Sequence, residues 1–154
     1  MNPMENERYR DWALERLRQG DLLAERAYVV PVKTGGRSYG SISRAIQKAG
    51  VTIPVLPLRQ SVAAIHDGKT IVFMAFWDDD NRYTDSHIAL CVASAVVCAS
   101  RADVAPLAIP LLGDKDKMQF LGAMEYGVEQ AEAELESLES SAVEVSLVSS
   151  HSIT

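Results

Sequence analysis

The spacing of hydrophobic and polar residues changes along the chain, and each change predicts an element. Between Met4 and Gln19, the residues Tyr9, Trp12, Ala13 and Leu17 fall on one helical face among Glu and Arg. This predicts an amphipathic helix, ended by Gly20 and packed on the outside of the domain. Ala27 to Val32 is a nearly unbroken apolar run rich in β-branched residues, as in a central strand buried on both faces. Ser41 to Ala49 predicts a short helix that Gly50 stops. "VTIPVLPLRQ", with Pro54 and Pro57, reads as an extended connection outside the sheet, and "SVAAIHDGKTIVFMAFW" as a hairpin turning at Asp67 and Gly68. "DDDNRYTD" is a loop with a helix cap at Thr84 or Asp85, before the helix "HIALCVASAVVCAS", apolar enough to be buried on most sides. "VAPLAIPLLG" predicts a strand. A long helix from Met118 to about Leu138 follows, with Leu121, Met124, Val128, Ala131, Leu135 and Leu138 on one face, and "AVEVSLVSS" supplies the last strand.

Strands that alternate with helices predict an α/β sandwich. The length of 154 residues suits one domain, since a chain of this size buries about 70% of its unfolded surface. The expected organisation is an N-terminal helix over residues 1–20, a domain over 21–150 and a flexible tail over 151–154. A hydrophobic fraction of 47% with 23% charged residues is that of a globular chain. The net charge of −6 leaves no basic field for a polynucleotide, although a local basic pocket can hold one nucleotide. Cys91 and Cys98 stand two helical turns apart, too far along one helix for a disulfide, and read as buried thiols. No apolar run reaches the roughly 18 residues of a membrane span, and the N-terminus lacks the pattern of a signal peptide, so a cytoplasmic protein is expected.

In α/β sheets ligands collect beyond the carboxyl ends of the strands. Three segments are predicted there: Lys33 to Gly40, Trp77 to Tyr83 and Leu112 to Lys117. In the first, Gly35, Gly36 and Gly40 let backbone N–H groups approach a phosphate or ribose, or serve only as a flexible turn. Lys33 and Arg37 suit a phosphate, and Tyr39 suits stacking on a base. Asp80 and Asn81, in the second, are further ligand candidates. In the third, Asp116 and Gln119 match a capping box, and the same helix start attracts anions. "DDDN" invites a cation, but the Ca²⁺-loop pattern needs Gly and Glu where Tyr83 and Ala89 stand, so a solvated acidic turn is the better reading. His66, His87 and His151 are isolated in sequence. No metal site, cofactor site or catalytic constellation is legible.

From Arg59 onward, "LRQSVAAIHDGKTIVFMAFWDDDNRYTD", a helix, "LAIPLLG" and a long helix together resemble the macro domain superfamily. The similarity is to its divergent branch linked to TIR proteins and Thoeris anti-phage defence. "GSISRAIQKAG" stands where the family has its first ligand loop and helix, so the resemblance covers most of residues 20–150. It implies a mixed sheet between helices and a nucleotide ligand such as ADP-ribose or another NAD derivative. It also implies a first ligand loop of Thr34, Gly35, Gly36, Ser38, Tyr39 and Gly40, and a second of Leu112, Gly113, Asp114 and Lys115. The Asn pair that precedes the first loop in hydrolytic members is replaced by "VPVKTGG". Binding is therefore the leading expectation. An ADP-ribosyl hydrolase with an acid such as Asp80 as base, and a degenerate domain that binds a protein partner, are the alternatives.

Overall fold

The computed structural model describes residues 15–80, 84–104, 106–112, 120–140 and 143–149. In chain order they form β1 (Leu17–Gln19), a 3-10 turn (Leu22–Ala24), β2 (Ala27–Lys33), α1 (Gly40–Lys48), β3 (Ser61–His66) and β4 (Lys69–Trp77). After these come α2 (Asp85–Arg101), β5 (Leu107–Pro110), α3 (Leu121–Ser137) and β6 (Val145–Ser149). The strands make one mixed sheet in the order β1-β6-β5-β2-β4-β3, with only the edge strand β3 antiparallel to its neighbour.

Alternation along the strands divides the core into two layers. Val29, Val72, Met74 and Phe76 face α2 and α3, while Tyr28, Val30, Val32, Ile71 and Phe73 face α1. The run Ala27–Lys33 is buried on both sides except at Lys33, as its composition requires. Asp67 and Gly68 both take positive φ (52° and 74°), the backbone that a two-residue turn needs to join His66 to Lys69 without splaying the strands. Thr84 is the cap of α2: its side-chain oxygen accepts from His87 N at 3.2 Å.

Two expectations change. The helix predicted over Met4–Gln19 lies mostly outside the described residues, and its last residues, Leu17–Gln19, form a strand parallel to β6. The free edge of β6 offers backbone partners that no periodicity within residues 4–19 reveals. Leu138, expected on the apolar face of the long helix, is 55% exposed, because α3 ends at Ser137 and Leu138 is its C-cap. Leu121, Met124, Val128, Ala131 and Leu135 are buried.

The sheet has a topological switch between β2 and β5. From β2 the chain passes through α1 and β3 to β4 on one side; from β5 it passes through α3 to β6 on the other. The ladder between β2 and β5 is the single pair Tyr28↔Ala108. Past that pair each strand carries a proline, Pro31 and Pro110, which has no N–H to give to a ladder. Ligand crevices form at such switch points.

Candidate functional site: a cleft at the carboxyl ends of the strands

The glycine corner after β2 is held closed at its base. Lys33 N donates to Arg37 O at 3.0 Å, and Arg37 Nε donates to Thr34 O at 2.9 Å. Gly35 and Gly36 take φ of +81° and +72°, left-handed conformations that glycine adopts without a steric penalty. Gly36 has a second reason to lack a side chain: a Cβ there would stand 3.2 Å from both the Ile53 carbonyl oxygen and Val55 Cγ2. The proline-rich connection therefore forms one wall of the corner. Tyr39 is the N-cap of α1, where buried Ser43 fixes it: Tyr39 N donates to Ser43 Oγ at 2.7 Å, and Ser43 Oγ donates to Tyr39 O at 2.8 Å.

The segment after β4 meets this corner. The register slips so that Val32 pairs with Ala75 but Lys33 with Trp77, which leaves Phe76 as the extra residue of a bulge. Bulges re-aim the side chains beside them. Trp77 lies 4.6 Å from Tyr39, ring to ring, and Lys33 Nζ sits 5.6 Å from the Tyr39 ring. Asp79 joins the two loops by pairing with Arg37 at 2.9 Å and with Lys33 at 3.9 Å. Asp80 is exposed, and its backbone N–H donates to Asp78 Oδ1 at 3.0 Å.

On the other side of α1 a cavity of about 270 Å³ opens among Asp21, Leu22, Ser41, Ile42, Pro110 and Ser149. Asp21 caps the 3-10 turn, its Oδ1 accepting from Leu23 N at 3.1 Å.

The structure brings Lys33, Thr34, Gly35, Gly36, Ser38, Tyr39 and Gly40 into one corner, with Trp77, Asp79 and Asp80 beside them. The Leu112 side chain is buried in the core against α2 and α3. Asn81, Gly113, Asp114 and Lys115, and the Asp116–Gln119 capping pair, lie outside the described residues. Sequence reading missed Asp21 and Ser149, because they line one cavity only once β1 pairs with β6. It also passed over Asp79, whose partners are 42 and 46 residues earlier, at Arg37 and Lys33. Among the described residues no group of three or more His, Cys, Asp or Glu is placed to hold a metal ion, and no helix is long and apolar enough to cross a membrane. Cys91 and Cys98 are free thiols, and burial pushes Cys91 up to about 12.

No protein-family model matches the sequence, and no curated protein matches it. Solved structures do. The macrodomain of Thermus aquaticus DarG superposes with a TM-score of 0.61 at 16% identity, over 86% of this chain and 96% of that one. A mutant Oceanobacillus iheyensis macrodomain with ADPR gives a TM-score of 0.52 at 12% identity, over 88% of this chain and 84% of that one. An alphavirus P23pro-zbd protein gives 0.56 at 17% identity over 88% of this chain, which spans 22% of that much longer one. At these identities the shared property is the architecture: the chain is a single domain with the macrodomain-like α/β fold.

Proposed function

We propose that this chain binds ADP-ribose or a related NAD-derived nucleotide in the cleft at the carboxyl ends of β2, β4, β5 and β6. The observation that carries this reading is the 270 Å³ cavity beside the ends of β5 and β6, lined also by Ser41 and Ile42 of the helix into which the glycine corner leads. Drug-sized ligands fill pockets of roughly 300–1,000 Å³, so the cavity takes one part of a nucleotide and leaves the rest to run across the corner. An apolar slot with Asp21 at its rim suits a base with an exocyclic amino group. Positive-φ glycines beside Lys33 and Arg37 suit the diphosphate, because backbone N–H groups can approach it closely. The Tyr39–Trp77 pair then receives the terminal ribose. A macrodomain of the same fold has been solved with ADPR, which supports the choice of ligand.

Binding is a better reading than hydrolysis, since "VPVKTGG" replaces the Asn pair of hydrolytic members and the candidate base, Asp80, is exposed. A place in the TIR- and Thoeris-linked branch, in bacterial defence or in NAD signalling rests on the sequence resemblance. So does a domain bounded at residues 21–150, whereas a cytoplasmic location rests on the lack of a signal-peptide pattern and of a membrane-length apolar run in the sequence. A thermal-shift and calorimetric series over ADP-ribose, cyclic ADP-ribose, NAD and ATP tests the reading. A specific ligand at 100 times its Kd stabilises the fold by about 2.7 kcal/mol, a shift of several degrees. A flat response to all four at millimolar concentration leaves a protein-binding module in its place.

A further inference from the structure

β3 ends the sheet, and among the described residues no strand pairs with its outer side. Ala75 N donates to Gln60 O at 2.9 Å, and the register sets these two residues opposite each other, so they form a hydrogen-bonded pair. Such pairs alternate with open ones along an antiparallel ladder. Val62, Ala64 and His66 therefore turn their backbone groups toward β4, while Ser61, Ala63 and Ile65 turn theirs to the free edge. The side chains of these three lie on the α2 face: Ser94 Oγ of α2 donates to Ser61 Oγ at 2.9 Å, and Ala63 packs against the core there.

Sheet edges are commonly protected by a proline or a charged side chain on the edge strand. β3 reads SVAAIH, without proline, lysine or a carboxylate, and carries Ile65 at 79% exposure. Beside it runs a groove of about 660 Å³ lined by Ser61, Ala63, Leu90, Ala93, Ser94 and Val97, in which Leu90 is 45% exposed. The strand thus offers unpaired backbone groups, a protruding aliphatic side chain and a slot between small residues on one face.

These features complement themselves. A twofold axis through Ala63 sets Ala63 against Ala63 of a second copy, Ser61 against its Ile65 and Ile65 against its Ser61. All three are hydrogen-bonded pairs, each exchanging two bonds. The neighbouring registers leave Ser61 or Ile65 without a mate in the strand. Residues opposite each other share a face, so Ile65 of the second copy comes to lie beside Ser61, over the groove next to Leu90. Charge agrees as well. Arg59, exposed and anchored by its Nε donating to His87 Nδ1 at 3.1 Å, stands at one end of β3, and Asp67, exposed and paired with His66 at 3.5 Å, stands at the other. Antiparallel pairing brings each Arg59 end beside the Asp67 end of the other copy.

We propose that β3 is the interface of a symmetric dimer of this chain, in which two sheets join edge to edge across Ala63 and each Ile65 enters the groove of the other copy. A twofold interface requires a self-complementary patch, which an outward row of Ser, Ala and Ile beside its own groove supplies. The cavity at β5 and β6 lies on the other side of β2 and β4, so the dimer leaves it open, and the inference stands apart from the nucleotide reading.

Sedimentation velocity on the full chain tests this. The mass is expected to rise from monomer toward dimer between about 10 μM and about 1 mM, the range of an interface below standard size. Ala63→Pro removes an outward N–H without touching the β4 ladder, and Ile65→Lys puts a charge where the groove receives an aliphatic chain. Each is expected to weaken the dimer about tenfold or more. Ile65→Lys, at an exposed side chain, reads the same loss should Ala63→Pro fail to fold. In hydrogen exchange, the amides of Ser61, Ala63 and Ile65 are expected to gain protection as concentration rises, while those of Val62 and Ala64 are protected throughout. The inference is overturned if the chain stays monomeric to about 1 mM, or if both variants dimerise as the unaltered chain does. Protection of the three outward amides already in dilute monomer also overturns it, since a segment of the same chain then covers the edge.

Discussion

The two sides of the sheet are packed to different tolerances. On the α2 and α3 side, α3 approaches α2 so closely that a Cβ at Gly127 would lie 2.5 Å from the Ala89 carbonyl oxygen and 2.9 Å from Val92 Cβ. Phe76, Ile88, Leu121, Met124, Leu135 and Leu147 are fully buried there. On the other side α1 has nine residues and buries only Ser43 and Ile46, and a coil segment through Ile53 completes the cover. A helix that short is not stable alone, so its position depends on those few contacts. The candidate cleft is built on this thinner side. Close packing of one face fixes the strand ends, and sparse packing of the other leaves the cavity beside β5 and β6.

Substitutions on the tight side should therefore cost the most stability and leave ligand recognition intact. Leu121→Ala, at a side chain 1% exposed, is expected to lose about 2–5 kcal/mol in urea unfolding through lost contacts and a cavity. Gly127→Ala is expected to lose about 1–3 kcal/mol, because neither the Ala89 backbone nor Val92 Cβ can swing away from the added methyl. The folded fraction of each variant should keep the affinity of the unaltered chain for ADP-ribose. A loss of affinity at constant folded fraction would show that the two sides are coupled.

The difference between the sides also decides what the sequence discloses. Elements with strong periodicity or continuous burial, such as Ala27–Lys33, Asp85–Arg101 and Leu121–Ser137, are legible because their own side chains determine them. So is the hairpin at Asp67–Gly68, whose turn chemistry is local. Leu17–Gln19 is not legible as a strand, because its partner Leu147–Ser149 is supplied by the opposite end of the chain. The candidate site divides in the same way. The corner from Lys33 to Gly40 announces itself by its glycines. Asp21 and Asp79 join the candidate site only through neighbours remote in sequence: Ser149 at the cavity and Arg37 across the loops.

On the thin side the expected losses are smaller in stability and larger in binding. Gly36→Val combines left-handed strain with contacts at 3.2 Å to the Ile53 carbonyl and Val55, a local cost of about 1–3 kcal/mol. The same side chain blocks the approach of a phosphate to the backbone, which should weaken ADP-ribose binding about tenfold, the equivalent of one or two hydrogen bonds. Full affinity in a folded Gly36→Val protein would remove the corner from the site.

His87 joins the sides, since it belongs to α2 yet orients a group at the edge. Its pKa is held below 6.5, first by burial, so the unfolded chain takes up a proton as pH falls through 6.5 while the folded chain resists. The unfolded state then binds more protons, and stability falls with acid between the unfolded and folded values. Each unit of separation is worth at most about 1.4 kcal/mol. Urea melts at about pH 7.5 and about pH 5.5 should show this loss in the unaltered chain and a smaller one in His87→Gln, where nothing titrates at that position. An equal slope in both would assign the acid sensitivity to other groups.

The smallest expected effect on stability is at Asp79, and it sharpens the comparison most. Its side chain is 82% exposed and pairs with Arg37 at 2.9 Å and Lys33 at 3.9 Å. Ion pairs this exposed contribute about 0–1 kcal/mol to folding, so Asp79→Asn should shift the urea midpoint very little. For the ligand the carboxylate matters differently, because it sits on the two cations offered to the diphosphate and must be displaced or outcompeted. Removing one negative charge about 4 Å from a bound phosphate is worth roughly 1 kcal/mol in water, so ADP-ribose should bind a few-fold tighter to Asp79→Asn at low salt. The gain should shrink as added salt shortens the screening length to a few ångströms. A variant that loses more than about 1 kcal/mol of stability, against the range for exposed pairs, would mean that the loop-to-loop pair belongs to the frame. Unchanged affinity at every salt concentration would place the phosphates away from Lys33 and Arg37.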